Sequence, residues 1–520
     1  MQTIFYNCRV YTGELPFAEA FGVANGKFTF VGSEAEAMTL EGQRLDLGGA
    51  FVCAGFNDSH MHLLNFGQTL SMAPLGKHTD SLTDLLDCLR QTAPNRGWIL
   101  GRGWNQDLFT AVKRMPNRRD LDTVSTEHPV CATRACGHAL VVNSKALEIL
   151  GITAATASPA GGHIDFENGR FYDNAMDLVL NAIPAPDKET LKHDIRTACR
   201  ELNRRGITSC HSDDYCVFRA IPWQMVNEAY RELEAEGALT VRVQEQANLT
   251  TLPELTAFIE TDHPASDRFS MGPLKLLGDG ALGARTAFLS RPYADAPDTR
   301  GLSVFTGQQL MELIGYAHTH GMQTAVHCIG DACLDLVLDA LEAAQAKHPR
   351  GGARHGIVHC QITRPDQIRR MAENKLHIYA QSIFLDYDIH IVRERAGDEL
   401  AATSYGWKTL MELGATVSNG SDCPVESPDV MAGIQCAVTR RDLKGCAPYR
   451  PEQAFTVQEA LDSFTKAGAY ASFEEHIKGQ IRPGYLADFV VLGSDPFHTP
   501  VDNLKDIPIL QTWLEGGRVY

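Results

Sequence analysis

Residues 57 to 63 read NDSHMHL, and two imidazoles one residue apart are the first sign of chemistry in this chain. Side chains alternate along a strand, so His60 and His62 are expected to share a face with Asp58. Two imidazoles aimed at one point suit a divalent cation such as zinc. The pair alone decides little. The 19 histidines among 520 residues give about 0.7 His-x-His pairs by chance, and the chain holds a second pair in His318 and His320. That second pair closes a helix-like stretch just before Gly321. Imidazoles favour the dipole there and glycine suits the cap, so the pair reads as structural.

The elements that must position His60 and His62 follow from apolar periodicity. Short strands are expected at 51–60, 206–213, 239–249, 272–280, 322–331, 354–362, 376–384 and 415–424. Helical stretches such as TGQQLMELIGYAHTH and DACLDLVLDALEAAQAKH separate them. Strands alternating with helices imply parallel βα units, and eight such units imply an α/β fold of the (β/α)8 TIM-like barrel type. A doubly wound sheet is the competing fold. It would want a glycine-rich phosphate loop after an early strand, and GFNDSH is not one.

Residues 51–479 are assigned to this barrel. The stretch 64–205 after the first strand is too long for one helix and reads as an inserted cap subdomain. Residues 1–50 and 480–520 read as short strands. Asn25-Gly26 is a hairpin signal there, and Gly516-Gly517 a turn. Both ends are expected to build one composite β-sandwich domain, with two separate appendages as the alternative.

A barrel places its chemistry at the carboxyl ends of its strands. His60 and His62 end the first strand, Lys275 lies on the fourth, His327 ends the fifth, His359 the sixth and Asp422 the eighth. This convergence on one rim is far more specific than the opening pair. His211 ends the second strand and either lines the mouth or packs. Cys328, Cys360 and Cys423 each follow one of these residues directly, so alternation points them into packing.

The set resembles the metal-dependent amidohydrolase superfamily. Several stretches are similar to its branch of YtcJ-like proteins and N-substituted formamide deformylases: GRGWNQDLF, RACGHALVVNSKAL, KLLGDGALGARTAFL, HCIGDA, NGSDCPV and KGQIRPGYLADFVVL. The resemblance covers essentially the whole chain. It implies two divalent metals, zinc first, with manganese, iron or cobalt as alternatives. It also implies His60, His62 and Asp422 around the more buried metal and His327 and His359 around the second. Lys275 would be carboxylated and bridge the two, which turns a repelled cation into an anion with two oxygen donors. The resemblance further implies a metal-bridging hydroxide as nucleophile and Asp422 as proton shuttle. An acidic residue is common just before the sixth-strand histidine. Here that position is Val358, which is expected to face away from the metals.

The expected activity is hydrolysis of a non-peptide C–N bond in a small N-substituted amide. Substrate contacts are assigned to His138, Trp104, Arg102, Asp279 and Arg285, each with a structural alternative. An aminohydrolase on the same barrel would carry a Glu shortly after His327, and HCIGD has none. Ester or lactone hydrolysis stays open. A non-catalytic scaffold should have lost ligands, and all six are present. The net charge of -17 argues against nucleic-acid binding. No apolar run reaches the length of a membrane span. No secretory signal opens the chain, and its 14 cysteines lack a CxxC pair. A cytoplasmic protein acting on a small amide is expected, as a homodimer.

Overall fold

The computed structural model describes the chain except residues 1, 79, 111–112, 135–138, 160–161, 218–219 and 265, and the side chains of 107, 173 and 174. The chain divides into two compact units. The first comprises Met1–Leu63, Cys199–Val217 and Tyr230–Tyr520.

Eight parallel strands form the main sheet of this unit. They are β1 (Phe56–Met61), β2 (Ile207–Ser212), β3 (Arg242–Asn248), β4 (Phe269–Leu277), β5 (Thr324–Cys328), β6 (Gly356–His359), β7 (His377–Ala380) and β8 (Thr416–Asn419). They pair in chain order. The backbone just past β8 then meets β1: the Asp422 N–H donates to the His60 carbonyl and the His62 N–H to the Cys423 carbonyl, both at 2.8 Å. Those two bonds carry the last strand's extension onto the first, as a TIM-like barrel requires.

Helices return the chain between strands. Gly307–Thr319 begins with a capping box in which Thr306 and Gln309 satisfy each other's backbone N–H groups. Its end is the predicted structural site of the second His-x-His pair. There His318 is buried, and His320 Nδ1 contacts the Tyr316 carbonyl at 2.8 Å.

The run expected as one strand over 51–60 is two. Gln43–Ala54 belongs to a separate seven-stranded sheet, and β1 begins at Phe56. Gly55 divides them, and a Cβ there would lie 2.2 Å from Thr208 Oγ1. The apolar run has no other punctuation, so its division is invisible to hydropathy. The seven-stranded sheet draws strands from residues 3–54 and 489–518. In hydrogen-bonding terms it is one continuous sheet. It is antiparallel except where Thr3–Val10 runs parallel to Gln43–Ala54. Asn25 and Gly26, with φ of 50° and 75°, form its first hairpin, in the same left-handed class as Glu515 and Gly516 at 52° and 71°. The C-terminal turn is Glu515-Gly516, one residue earlier than the glycine pair suggested, because Leu514 pairs with Gly517. Phe5 stacks on Phe21 at 4.8 Å, and Phe489 and Trp513 pack against Phe5 at 5.2 Å each. Arg242 of β3 reaches Asp488 and Glu515 at 2.7 Å each, a buried ion pair with the neighbouring sheet.

The second unit comprises Leu64–Ala198 and Phe218–Ala229, so the segment expected as an insertion has a further piece beyond β2. It holds a six-stranded sheet and cores of its own, one around Leu85, Leu89, Trp104 and Val141. Among the described residues, no helix is long and apolar enough to cross a membrane.

Candidate metal centre

His60 is 1 % exposed at the end of β1, and its Nδ1 lies 2.7 Å from Gln246 Oε1 on β3. An amide oxygen only accepts, so Nδ1 carries the hydrogen and the Nε2 lone pair is free. His62 is set the same way, its Nδ1–H donating to the Asp213 carbonyl at 2.7 Å. Both free Nε2 atoms converge on one oxygen: Asp422 Oδ1 lies 3.3 Å from His60 and 3.2 Å from His62. His60, His359 and Asp422 bring donor atoms within 4.8 Å of one another.

The backbone bends to achieve this. Asp422 has φ 56° and His359 φ 72°, a left-handed conformation that costs a residue with a side chain about 1–3 kcal/mol. Trp407 Nε1–H donates to the His359 carbonyl at 3.0 Å, and Phe384 stacks on the imidazole at 5.7 Å. His359 thereby leaves the strand's alternation. Val358 pairs in register with His327 and so lies on the same side of the sheet, buried against Ala325 and Tyr379.

The His327 and His359 rings are 4.4 Å apart, and those of His60 and His359 5.6 Å. His327 Nε2 lies 3.3 Å from Asp279 Oδ1 and 3.2 Å from the Gly280 carbonyl. Lys275 is fully buried on β4, its Nζ 3.5 Å from Asp213 Oδ2, and it makes no hydrogen bond among the described residues.

Burial, with Lys275 nearby, lowers His60 to about 4. Burial also drives His359 well below the usual imidazole value, with His327 adding to it. Burial would lower His62, but its hydrogen-bonding contacts with Asp422 and Cys216 raise it well above the usual imidazole value. Burial would raise Asp422, yet contacts with His60 and His62 hold it well below the carboxylate range.

The donors fit a divalent cation. Imidazole nitrogens and a carboxylate oxygen converge while Lys275 Nζ and His359 Nδ1 are buried without hydrogen bonds among the described residues. All six rim residues predicted from sequence thus lie on the strand ends of one unit.

The remaining expectations scatter. Asp279 accepts backbone N–H groups from Phe288 and Gly330 at 2.8 Å and from Ile329 at 3.0 Å, so it fixes the loops after β4 and β5. Arg285 is bound to Asp295, with Nη2 to Oδ2 at 2.5 Å. Trp104 is 1 % exposed in the core of the second unit, its indole N–H donating to the Ala132 carbonyl at 3.0 Å. That is a packing position. Arg102 is exposed on a strand of the same unit. His138 lies outside the described residues. His211 is buried inside the barrel with its ring 6.2 Å from Tyr379.

Asp58 does not share the histidine face. Cys210 and Ser212 of β2 pair with Asp58 and Met61, two steps against three, so β1 carries a bulge. The Asp58 carboxylate turns to Ser421, accepting from its N–H at 3.0 Å and its hydroxyl at 2.5 Å.

Gln246 and Asp213 escaped the sequence reading. Gln244, Gln246 and Asn248 alternate along β3, which was the available sign of a polar inner face. Asp213 directly follows a barrel strand, where chemistry gathers.

Among known proteins, the model of the Amidohydrolase family matches residues 43–520. The chain is 32% identical to the YtcJ protein of Bacillus subtilis (strain 168) over 96% of this chain and 94% of that one. It is 25% identical to the N-substituted formamide deformylase of Arthrobacter pascens, over 99% and 97%. An uncharacterized metal-dependent hydrolase from Pyrococcus furiosus, of solved structure, superposes with a TM-score of 0.80 at 29% identity, over 96% and 100%.

Proposed function

Since the chain belongs to the amidohydrolase family, we propose that it hydrolyses a non-peptide C–N bond in a small N-substituted amide, yielding an amine and a carboxylate. The observation that carries this reading is the meeting of Asp422 Oδ1 with His60 and His62 at 3.3 and 3.2 Å beside a buried, hydrogen-bond-free Lys275. His60, His62, His327, His359 and Asp422 would hold two divalent cations, zinc first by donor chemistry, with carboxylated Lys275 as the bridging ligand. Such cations lower the pKa of a water to about 7 and polarise a carbonyl oxygen.

The chain supplies the rest. Gln246 and the Asp213 carbonyl fix the tautomers of His60 and His62, so both rings present Nε2 to the centre. Asp422 is held ionised, ready to take the proton of the attacking water and hand it to the departing nitrogen. The amide class follows the formamide deformylase relative, at 25% identity.

A library of N-formyl and N-acyl amines, offered beside matched esters and lactones to metal-loaded protein, tests this reading. Amine release from an amide is expected, and turnover confined to esters or lactones would overturn the C–N assignment. Lys275→Ala is expected to lower bound metal per chain, with partial recovery in short carboxylic acids. Unchanged stoichiometry would remove Lys275 from the ligand set.

A further inference from the structure

We propose that His390, Asp442 and Cys446 form a peripheral site for a thiophilic divalent cation of the zinc class. The site shares no residue with the centre described above. It joins the segment after β7 to the loop that follows the helix after β8.

The three residues bring an imidazole nitrogen, a carboxylate oxygen and a thiol sulfur within 4.8 Å of one another. His390 follows the short helix Leu385–Asp388. Asp442 and Cys446 lie on the loop after Val430–Thr439, which turns away at Arg440 with φ 55°. Asp442 divides its oxygens. Oδ1 accepts the Lys444 and Cys446 N–H groups at 3.1 and 2.9 Å and fixes the loop, while Oδ2 faces His390 Nε2 at 2.9 Å. The Leu443 N–H donates to Asp386 Oδ1 at 2.6 Å, so the two segments are already held in register beside the site.

An ordinary ion pair accounts for His390 and Asp442 but does not call for a thiol beside it. The Cys446 sulfur accepts the Asp442 N–H at 3.5 Å and its S–H donates to the Ala447 carbonyl at 3.2 Å, which holds the sulfur within 4.8 Å of the imidazole and carboxylate donors. Nitrogen, oxygen and sulfur donors together select zinc, cadmium or cobalt over magnesium and calcium, which prefer oxygen alone. Access is open: the His390 side chain is 52% exposed, and Cys446 is half-buried. Three protein donors leave a fourth tetrahedral position for water. Only a slight opening of the 2.9 Å His390–Asp442 contact admits an ion bonded at about 2.0–2.2 Å to each. The Cys446 thiol proton passes to the buffer as the sulfur binds.

The test uses the full chain with its main centre metal-loaded. Cadmium is titrated in while thiolate-to-metal charge-transfer absorbance and bound metal per chain are followed. The six residues of the main centre offer only nitrogen and oxygen donors, so the band reports a thiolate, and Cys216 beside His62 is the thiol to be told apart from Cys446. A band saturating near one added equivalent is expected, retained in Cys216→Ser and lost in Cys446→Ser. His390→Ala and Cys446→Ser are each expected to bind about one cadmium fewer per chain, and cadmium to raise the melting midpoint of the parent more than that of Cys446→Ser. Absence of the band in the parent chain would overturn the site. So would a band that survives Cys446→Ser, or one lost instead in Cys216→Ser, the thiol beside His62.

Discussion

Asp422 is where two strands, two imidazoles and a strained backbone meet, so its side chain tests the centre most directly. Asp422→Asn keeps the shape and one donor oxygen but loses the base. Turnover is expected to fall by about 10²- to 10⁴-fold while most of the metal stays bound. Steady-state kinetics with the best library substrate, alongside metal analysis, checks both halves. Gln246→Leu should leave the fold intact and free His60 to change tautomer. Metal affinity is then expected to weaken by about 10- to 100-fold, measured by competition with a chelator. Sequence alone pointed to these six positions because histidine, lysine and aspartate at successive strand ends are hard to explain by packing. It did not reveal Gln246 or Asp213, which pass as ordinary polar residues until the fold sets β2 beside β1 and β3 beside β2. Asp58 was assigned to the wrong face because a bulge leaves no mark on composition.

The seam between β8 and β1 is the element on which the centre depends. Gly420 sits there, and a Cβ at that position would lie 2.5 Å from the His60 backbone nitrogen and 2.8 Å from Asp58 Oδ1. Gly420→Ala must push the strands apart. It is expected to cost about 1–3 kcal/mol and to lower metal content together with stability, unlike Gln246→Leu. Urea unfolding paired with metal analysis separates the two. Barrel strands were legible because each is a short apolar run before a helix, as in β5 and its helix Asp331–Lys347. Ends were less so: residues 51–54 continue the apolar run of β1 while pairing with Phe489–Leu492. Only the long-range partner decides that boundary.

At the scale of the molecule, stability should depend on a histidine relay that shares no residue with the candidate centre. The Thr324 N–H donates to His355 Nδ1 at 3.1 Å, so His355 Nε2 carries the hydrogen and donates to His318 Nδ1 at 2.8 Å. His318 Nε2–H then donates to the His348 carbonyl at 2.6 Å. A second proton on His355 would abolish its acceptor. Burial, with His318 and Arg350 near, lowers His355 to about 3, and burial lowers His377 to about 3. The unfolded chain protonates both near pH 6.5, so it binds more protons than the folded one between about pH 6.5 and 3. Stability is therefore full above pH 6.5 and falls as pH drops through that window, by about 1.4 kcal/mol per unit for each group at most. The urea midpoint is expected to be lower at pH 5 than at pH 7.5, with a shallower slope in His355→Gln. The small sheet carries a different consequence. Val52 lies opposite Val491 on neighbouring strands. A ribosome adding roughly 5–20 residues per second keeps the earlier one waiting on the order of half a minute for its mate. Through that interval Phe5, Phe21 and Phe28 lack Phe489 and Trp513 to cover them, and the emerging polypeptide displays an aromatic surface to whatever chaperone stands at the tunnel exit.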